Sequence, residues 1–294
     1  MIAIVGPTAG GKTDLAIEAA RILGAQVISV DSMQIYRGMD IGTAKPTVIE
    51  RRGVVHHMID VAEPEDEFSV AEFRRQGRAI IETSNVPLII TGGSGLHFRA
   101  LVDPMSFAPT DPGLREELES SEATFLIEEL AQADSGAGEH VDLANTRRVI
   151  RAVEIFRLTG ETPSQRAHSA EAEDLRRYQP DIDFTAIGID PGSLLDERIG
   201  GRLSQMKEGG LVSEVRGLEK RMGRTAASAV GYREIIDHLN GEIDLEQAFE
   251  AISRNTRKLA KKQRTWFQRD PRIHWIPWLV DADERVERIL EYVN

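Results

Sequence analysis

The sequence predicts an α/β fold, a doubly wound parallel sheet with helical insertions, on three observations. The apolar run Ile2-Ala3-Ile4-Val5 leads straight into the glycine-rich stretch Gly6 to Thr13 and then a helical pattern. Short apolar runs alternate with amphipathic helices through residues 1–110, the order that builds a parallel sheet. Two further runs, Phe184 to Ile189 and Arg272 to Ile276, follow long helical stretches and return the chain to that sheet.

Gly6-Pro7-Thr8-Ala9-Gly10-Gly11-Lys12-Thr13 fits the pattern G-x-x-x-x-G-K-[ST] between a strand and a helix opening at Lys12, which makes the core P-loop NTPase-like. Glycines let the backbone curl so that several N–H groups meet one oxyanion, and the helix adds its positive end. Lys12 supplies a point charge to a phosphate chain, and the Thr13 hydroxyl one place in a Mg²⁺ shell otherwise filled by phosphate oxygens and water. The loop alone leaves the phosphate compound open.

Ala25 to Val30 reads as the second strand, ending at Asp31 in a polar, glycine-punctuated loop that runs to Lys45. In open α/β sheets that edge is where ligands bind. Val54 to Val61 is expected to be a strand holding His56 and His57, which have no clustered partners and are read as strand residues. Ser69 with Glu72 predicts a capping box on a helix running to about Thr83. Val86 to Thr91 is a buried-type parallel strand, followed by the turn Gly92-Gly93-Ser94-Gly95 and a helix from Leu96.

Residues 111–178 carry no strand pattern. Leu114 to Glu119, Glu122 to Gln132 and Leu143 to Leu158 are helical, with a break at Asp134 to Gly138. This excursion sits where small P-loop kinases keep a lid. Residues 193–268 are helical again, with breaks at Gly209-Gly210, Gly223 and Asn240-Gly241, and residues 269–294 give a last strand and a closing helix of the core.

The chain has 36 basic and 48 acidic residues, a net charge of −12, which argues against a polyanionic partner for the chain as a whole. Ser253 to Arg272, however, holds eight Lys and Arg against Asp270 alone, and such a band can bind phosphates that the average repels. Cysteine is absent, which excludes disulfides, thiol catalysis and cysteine-ligated zinc. With a strand opening at Ile2 and no apolar run of membrane length, the expectation is a soluble, cytoplasmic monomer with no membrane partner.

Asp31 is the most informative carboxylate, a strand-end residue with eighteen positions between it and Lys12. It is placed to accept a proton from a nucleophile or to reach a metal through water; the plainer alternative is an Asp that caps its own loop. Walker-type NTPases end a later strand in an Asp that holds Mg²⁺, whereas here that strand ends in Thr91-Gly92. The arginines of Asn145 to Arg157 suit either a phosphate clamp or a solvated helix face partnered by Glu154. Trp266 and Phe267 suit either base stacking or core packing.

The blocks GPTAGGKT, ISVDSMQIYRGMDIGTAKP, TGGSGLHFRAL, NTRRVIRAVEI, AVGYRE and TRKLAKKQRTWFQRD, in that order over nearly the whole chain, resemble the tRNA dimethylallyltransferases of the bacterial type. The resemblance implies transfer of a dimethylallyl group from dimethylallyl diphosphate, with Mg²⁺, to N6 of the adenosine 3′ to the anticodon. It implies that Gly6, Thr8, Ala9, Gly10, Gly11, Lys12 and Thr13, joined by Arg202, hold the diphosphate. Asp31, Lys12 and Thr13 would be catalytic, with Thr13 at the metal.

Asp31, Ser32, Met33, Gln34, Ser94, Arg147, Arg148, Arg151, Gly231, Tyr232 and Arg233 would touch the tRNA anticodon stem-loop. Ser94 stands where such proteins commonly have Thr, and Arg147 where they commonly have Gln. Two other classes stay open on the residues. One is a small-molecule P-loop enzyme, either a kinase or an adenylate isopentenyltransferase; the other is a nucleotide-gated RNA-binding switch without chemistry.

Overall fold

The computed structural model describes residues 1–276, 278 and 281–292. In chain order, β1 (Ile2–Val5), α1 (Lys12–Leu23), β2 (Gln26–Ser29), β3 (His56–His57), α2 (Val70–Thr83), β4 (Leu88–Gly92) and α3 (Gly95–Val102) open the fold. A helical segment follows: α4 (Pro112–Ser120), α5 (Ala123–Ala133), α6 (Ala137–His140), α7 (Thr146–Thr159), α8 (Pro163–Ala167) and α9 (Ala170–Arg176). The chain then returns through β5 (Thr185–Ile189), α10 (Leu195–Glu208), α11 (Leu211–Leu218), α12 (Arg224–Ala227), α13 (Tyr232–Leu239), α14 (Leu245–Gln268), β6 (Ile273–Ile276) and α15 (Ala282–Leu290).

The sheet has six strands in the order β3-β2-β4-β1-β5-β6, and every pairing is parallel. Because side chains alternate along a strand, β1, β2, β4, β5 and β6 each feed two cores. Ala3, Val5, Ile28 and Ile90 face the side covered by α2, α3 and the later helices. Ile2, Ile4, Val27, Ile89 and Ile187 face the side covered by α1 and α15. Two compact units result: residues 1–102 with 182–294, holding the sheet, and residues 103–181. The second unit has its own apolar core, built from Leu118, Leu126, Leu130, Val149 and Val153.

The structure departs from the sequence expectation in several places. Only His56 and His57 of the run Val54 to Val61 join the ladder, opposite Val27 and Ile28. Met58 and Asp60 then adopt positive φ, and the Val61 amide donates to Ile35 O at 2.8 Å, so the chain leaves the sheet to cover the Asp31 loop. Half of the capping box forms: Ser69 accepts from the Glu72 amide, while the Glu72 carboxylate turns to Arg75 and Gln76. Helix α7 starts at Thr146 instead of Leu143, because the Asn145 side chain accepts from the Arg148 amide and caps it there. An additional break falls at Gly231, whose φ of 98° separates α12 from α13.

Candidate functional site

The P-loop turns between β1 and α1 at the carboxyl edge of the sheet. A Cβ on Gly6 would lie 2.1 Å from Ile189 O, so only glycine lets the loop pass β5. Gly11 at φ 74° is the N-cap of α1 and offers no side-chain bond to the helix. The first amides of α1 are thus left for an external acceptor. Beside them lies a cavity of about 470 Å³, lined by residues 8–14, Asp31, Gln34, Arg198, Arg202 and Gln263 among others.

Lys12 is 8% exposed, and its Nζ donates to Pro7 O at 2.6 Å. Burial pulls its pKa down to about 7; the charge of Asp31 opposes this and that of Arg202 adds to it. Burial likewise lowers Arg202, again against Asp31. The Arg202 guanidinium donates from Nη1 to Thr8 Oγ1 at 2.9 Å and from Nη2 to Thr43 O at 3.1 Å. Two cations without a full complement of anions, next to free helix-start amides, form an anion site. Arg198 approaches the same loop, with Nε donating to Ala9 O at 2.6 Å and its guanidinium 4.7 Å from the centre of the Trp278 ring.

Asp31 caps its own loop and also faces the cavity. Its Oδ1 accepts from the Met33 and Gln34 amides at 2.9 and 3.3 Å, a local cap of its loop. Oδ2 has no hydrogen-bond partner among the described residues, and the carboxylate lines the cavity that Lys12 and Arg202 also line. Thr13 lines it as well, whereas the Thr91 hydroxyl is used, donating to Ile4 O at 3.1 Å. The described residues hold no group of three or more His, Cys, Asp or Glu suited to a metal.

The residues expected at an RNA surface fall into different settings. Ser32 and Met33 are half-buried beside Asp31. Gln34 is buried, its Oε1 accepting from Ser29 Oγ at 3.0 Å and its Nε2 donating to Thr43 O at 3.3 Å. Ser94 Oγ lies 2.7 Å from His97 Nδ1. Burial pushes His97 down to about 4 against the charge of Asp31, so its ring is neutral at neutral pH. Gly231 is buried, Arg233 is exposed, and Tyr232 is wholly buried with its hydroxyl donating to Glu214.

In the second unit Arg147 and Arg148 are exposed. Arg151 instead donates to Pro109 O and Ala108 O and pairs with Glu154, the partner expected for that helix, although Glu154 is buried and not on a solvated face. Phe267 is core, 1% exposed, while Trp266 is 44% exposed and lies over Gly95. Sequence reasoning missed Arg198, although its i, i+4 spacing to Arg202 was a usable signal. It also missed Gln263, whose Oε1 accepts from the Thr8 amide at 2.7 Å, and Glu214; nothing local in the sequence marks either contact.

Residues 34–270 match the family model described as IPP transferase, and residues 1–64 match one described as isopentenyl transferase. The tRNA dimethylallyltransferase of Bifidobacterium animalis subsp. lactis is 46% identical over 298 residues, which cover 96% of this chain and 84% of that protein. The Thermobifida fusca protein of the same name is 43% identical over 310 residues, covering 100% and 94% of the two chains. The crystal structure of the full-length tRNA isopentenylpyrophosphate transferase of Bacillus halodurans superposes with a TM-score of 0.71 at 36% identity, over 99% of this chain and 94% of that one.

Proposed function

The chain belongs to the IPP transferase family, and on that footing we propose that it transfers the dimethylallyl group of dimethylallyl diphosphate to tRNA, at N6 of the adenosine 3′ to the anticodon. The observation that carries the reading is one cavity holding buried Lys12 and half-buried Arg202 at a P-loop, with an Asp31 oxygen left free beside them. In the reaction the donor C1–O bond breaks as a bond forms from C1 to N6. The diphosphate takes the bonding electrons and the amine loses a proton.

Each residue has a place in that step. The amides of Ala9 and of Gly11 to Thr13, with Lys12, Arg202 and Arg198, hold the leaving diphosphate and stabilise the charge that grows on it. Anion binding keeps Lys12 protonated, which its burial otherwise opposes. Asp31, fixed through Oδ1 by two amides, presents Oδ2 to orient the amine or take its proton. Mg²⁺ would sit on the Thr13 hydroxyl and diphosphate oxygens, a donor set with one protein oxygen that suits an ion retaining several waters; when bound it neutralises the diphosphate further. The exposed, basic side of α14 and Arg233 supports contact with the RNA backbone.

The test is nucleoside mass analysis after incubation with Mg²⁺ and dimethylallyl diphosphate. Unmodified tRNA and AMP are offered in separate reactions, and in a control the prenyl donor is replaced by ATP. One prenyl group gained on tRNA adenosine alone is the expected result. Prenylated AMP, or tRNA that gains no prenyl group in the presence of the donor, overturns it.

A further inference from the structure

Helix α14 reaches the phosphate loop directly. The Gln263 carboxamide oxygen accepts from the Thr8 amide at 2.7 Å, across 255 positions of sequence. Its Nε2 lies against Gly93, where a Cβ would come within 2.4 Å of it. Trp266, one turn on and on the same face, lies so close to Gly95 that a Cβ there would sit 1.8 Å from the indole. One face of α14 therefore grips both the P-loop and the turn between β4 and α3. Thr8 is held a second time through its hydroxyl, by Arg202 at 2.9 Å.

At 100° per residue, Arg254, Lys258 and Lys261 project from the opposite side of α14. Arg254 lies 3.9 Å from Glu250, whereas the exposed Lys258, Lys261 and Lys262 have no ionic partner among the described residues. A row of like charges on one helix repels itself until a polyanion neutralises it. The helix that would meet RNA on one side is thus bonded to the diphosphate cradle on the other.

We propose that Gln263 is a positioning residue, which fixes the start of the phosphate loop to the RNA-contacting helix and makes donor binding sense a polyanion on α14. The proposal rests on the function given above. Neutralising the lysine row steadies α14. Gln263 then holds the Thr8 N–H, and with it the first turn of the loop, so that the amides of Ala9 and of Gly11 onward face the anion. The link must act reciprocally, because a coupling between two bound ligands has one magnitude.

The experiment is calorimetric titration of the whole protein with an unreactive thio analogue of dimethylallyl diphosphate, with and without an anticodon stem-loop RNA. In the wild type the RNA is expected to tighten donor binding about fivefold or more. Gln263→Met, of equal length but without an acceptor, should bring that factor close to one while RNA affinity stays within about twofold. Gln263→Glu keeps an acceptor for the Thr8 amide and should keep the factor, although its charge weakens donor binding in both states. Thermal melting checks that the variants fold.

In the wild type alone, hydrogen exchange at the Thr8 amide should slow when RNA is added. RNA binding with a coupling factor of one, a factor that persists in Gln263→Met, or a Thr8 amide unmoved by RNA each overturns the inference and leaves the proposed function standing. A wild type that binds the donor analogue but no RNA sinks both.

Discussion

The Tyr232 hydroxyl donates to Glu214 Oε1 at 2.6 Å, and the same carboxylate accepts from the backbone amides of Asp40, Ile41 and Gly42 at 3.0, 2.7 and 3.1 Å. Three successive amides around one carboxylate form a nest that fixes the loop between β2 and β3. Gly42 is needed because a Cβ there would meet the Tyr232 ring at 2.3 Å. Thr43, next along, gives its carbonyl to Arg202 and Gln34, so the nest sets the wall of the cavity.

Glu214→Ala leaves those four donors without their acceptor and should cost about 3 kcal/mol in urea unfolding. Tyr232→Phe removes one bond and should cost about 1 kcal/mol. The alanine variant should also raise the KM for the donor more than that for tRNA, since the loop that carries the Arg202 acceptor is released.

On the proposed function, Lys12 should make donor binding depend on pH. Its pKa in the free site is about 7, below the ordinary 10.5, and an anion beside it raises that value again. The Lys12 contribution to donor affinity should therefore be full below pH 7 and fade as pH rises above it, with proton uptake on binding at pH 8. Calorimetry in buffers of different ionisation heat reads the uptake, and Lys12→Arg should abolish it.

The same lysine has a signature in folding. A lowered folded-state pKa means that the unfolded chain binds the extra proton between about 7 and 10.5. The cost of burying Lys12 is full below pH 7 and fades as pH rises towards 10.5. Lys12→Met should consequently stabilise the protein at pH 6 and lose that advantage by pH 10, as measured by denaturant midpoints.

Asp31→Asn separates charge from capping. Asn keeps an oxygen for the Met33 and Gln34 amides, so the loop should stay folded. Without the carboxylate, turnover should fall by about 10²-fold or more while tRNA affinity stays near that of the wild type. Equal losses in binding and turnover would make Asp31 chiefly an anchor for the substrate.

Replacing Lys258, Lys261 and Lys262 together by Ala should weaken tRNA binding and leave the affinity for the donor alone nearly unchanged. The slope of log affinity against log salt should shrink by about 0.7 for each lysine that meets a phosphate. A slope that does not move would place the RNA on another face.

Features that depend on neighbouring residues were legible before folding. The P-loop, its strand and its helix lie in consecutive residues, because hydrophobic period, glycine freedom and helix-start amides act over a few positions. Asp31 at a strand end and Arg202 near the loop were legible by the same spacing or by resemblance, and the structure places both at one cavity.

The tertiary structure alone decided which of two local options each residue takes. Trp266 is exposed and Phe267 is core, adjacent residues that sequence could not separate, because a helix turns 100° between them. His56 and His57 stop being strand after two residues, and the Val61 and Ala62 amides both donate to Ile35 O, away from the sheet. Gln263 on Thr8 and Glu214 on the Asp40 loop join positions 255 and 174 residues apart. Such contacts leave no periodic trace in sequence: a single amide or carboxylate reads as an ordinary polar residue until folding brings an unpaired N–H within its reach.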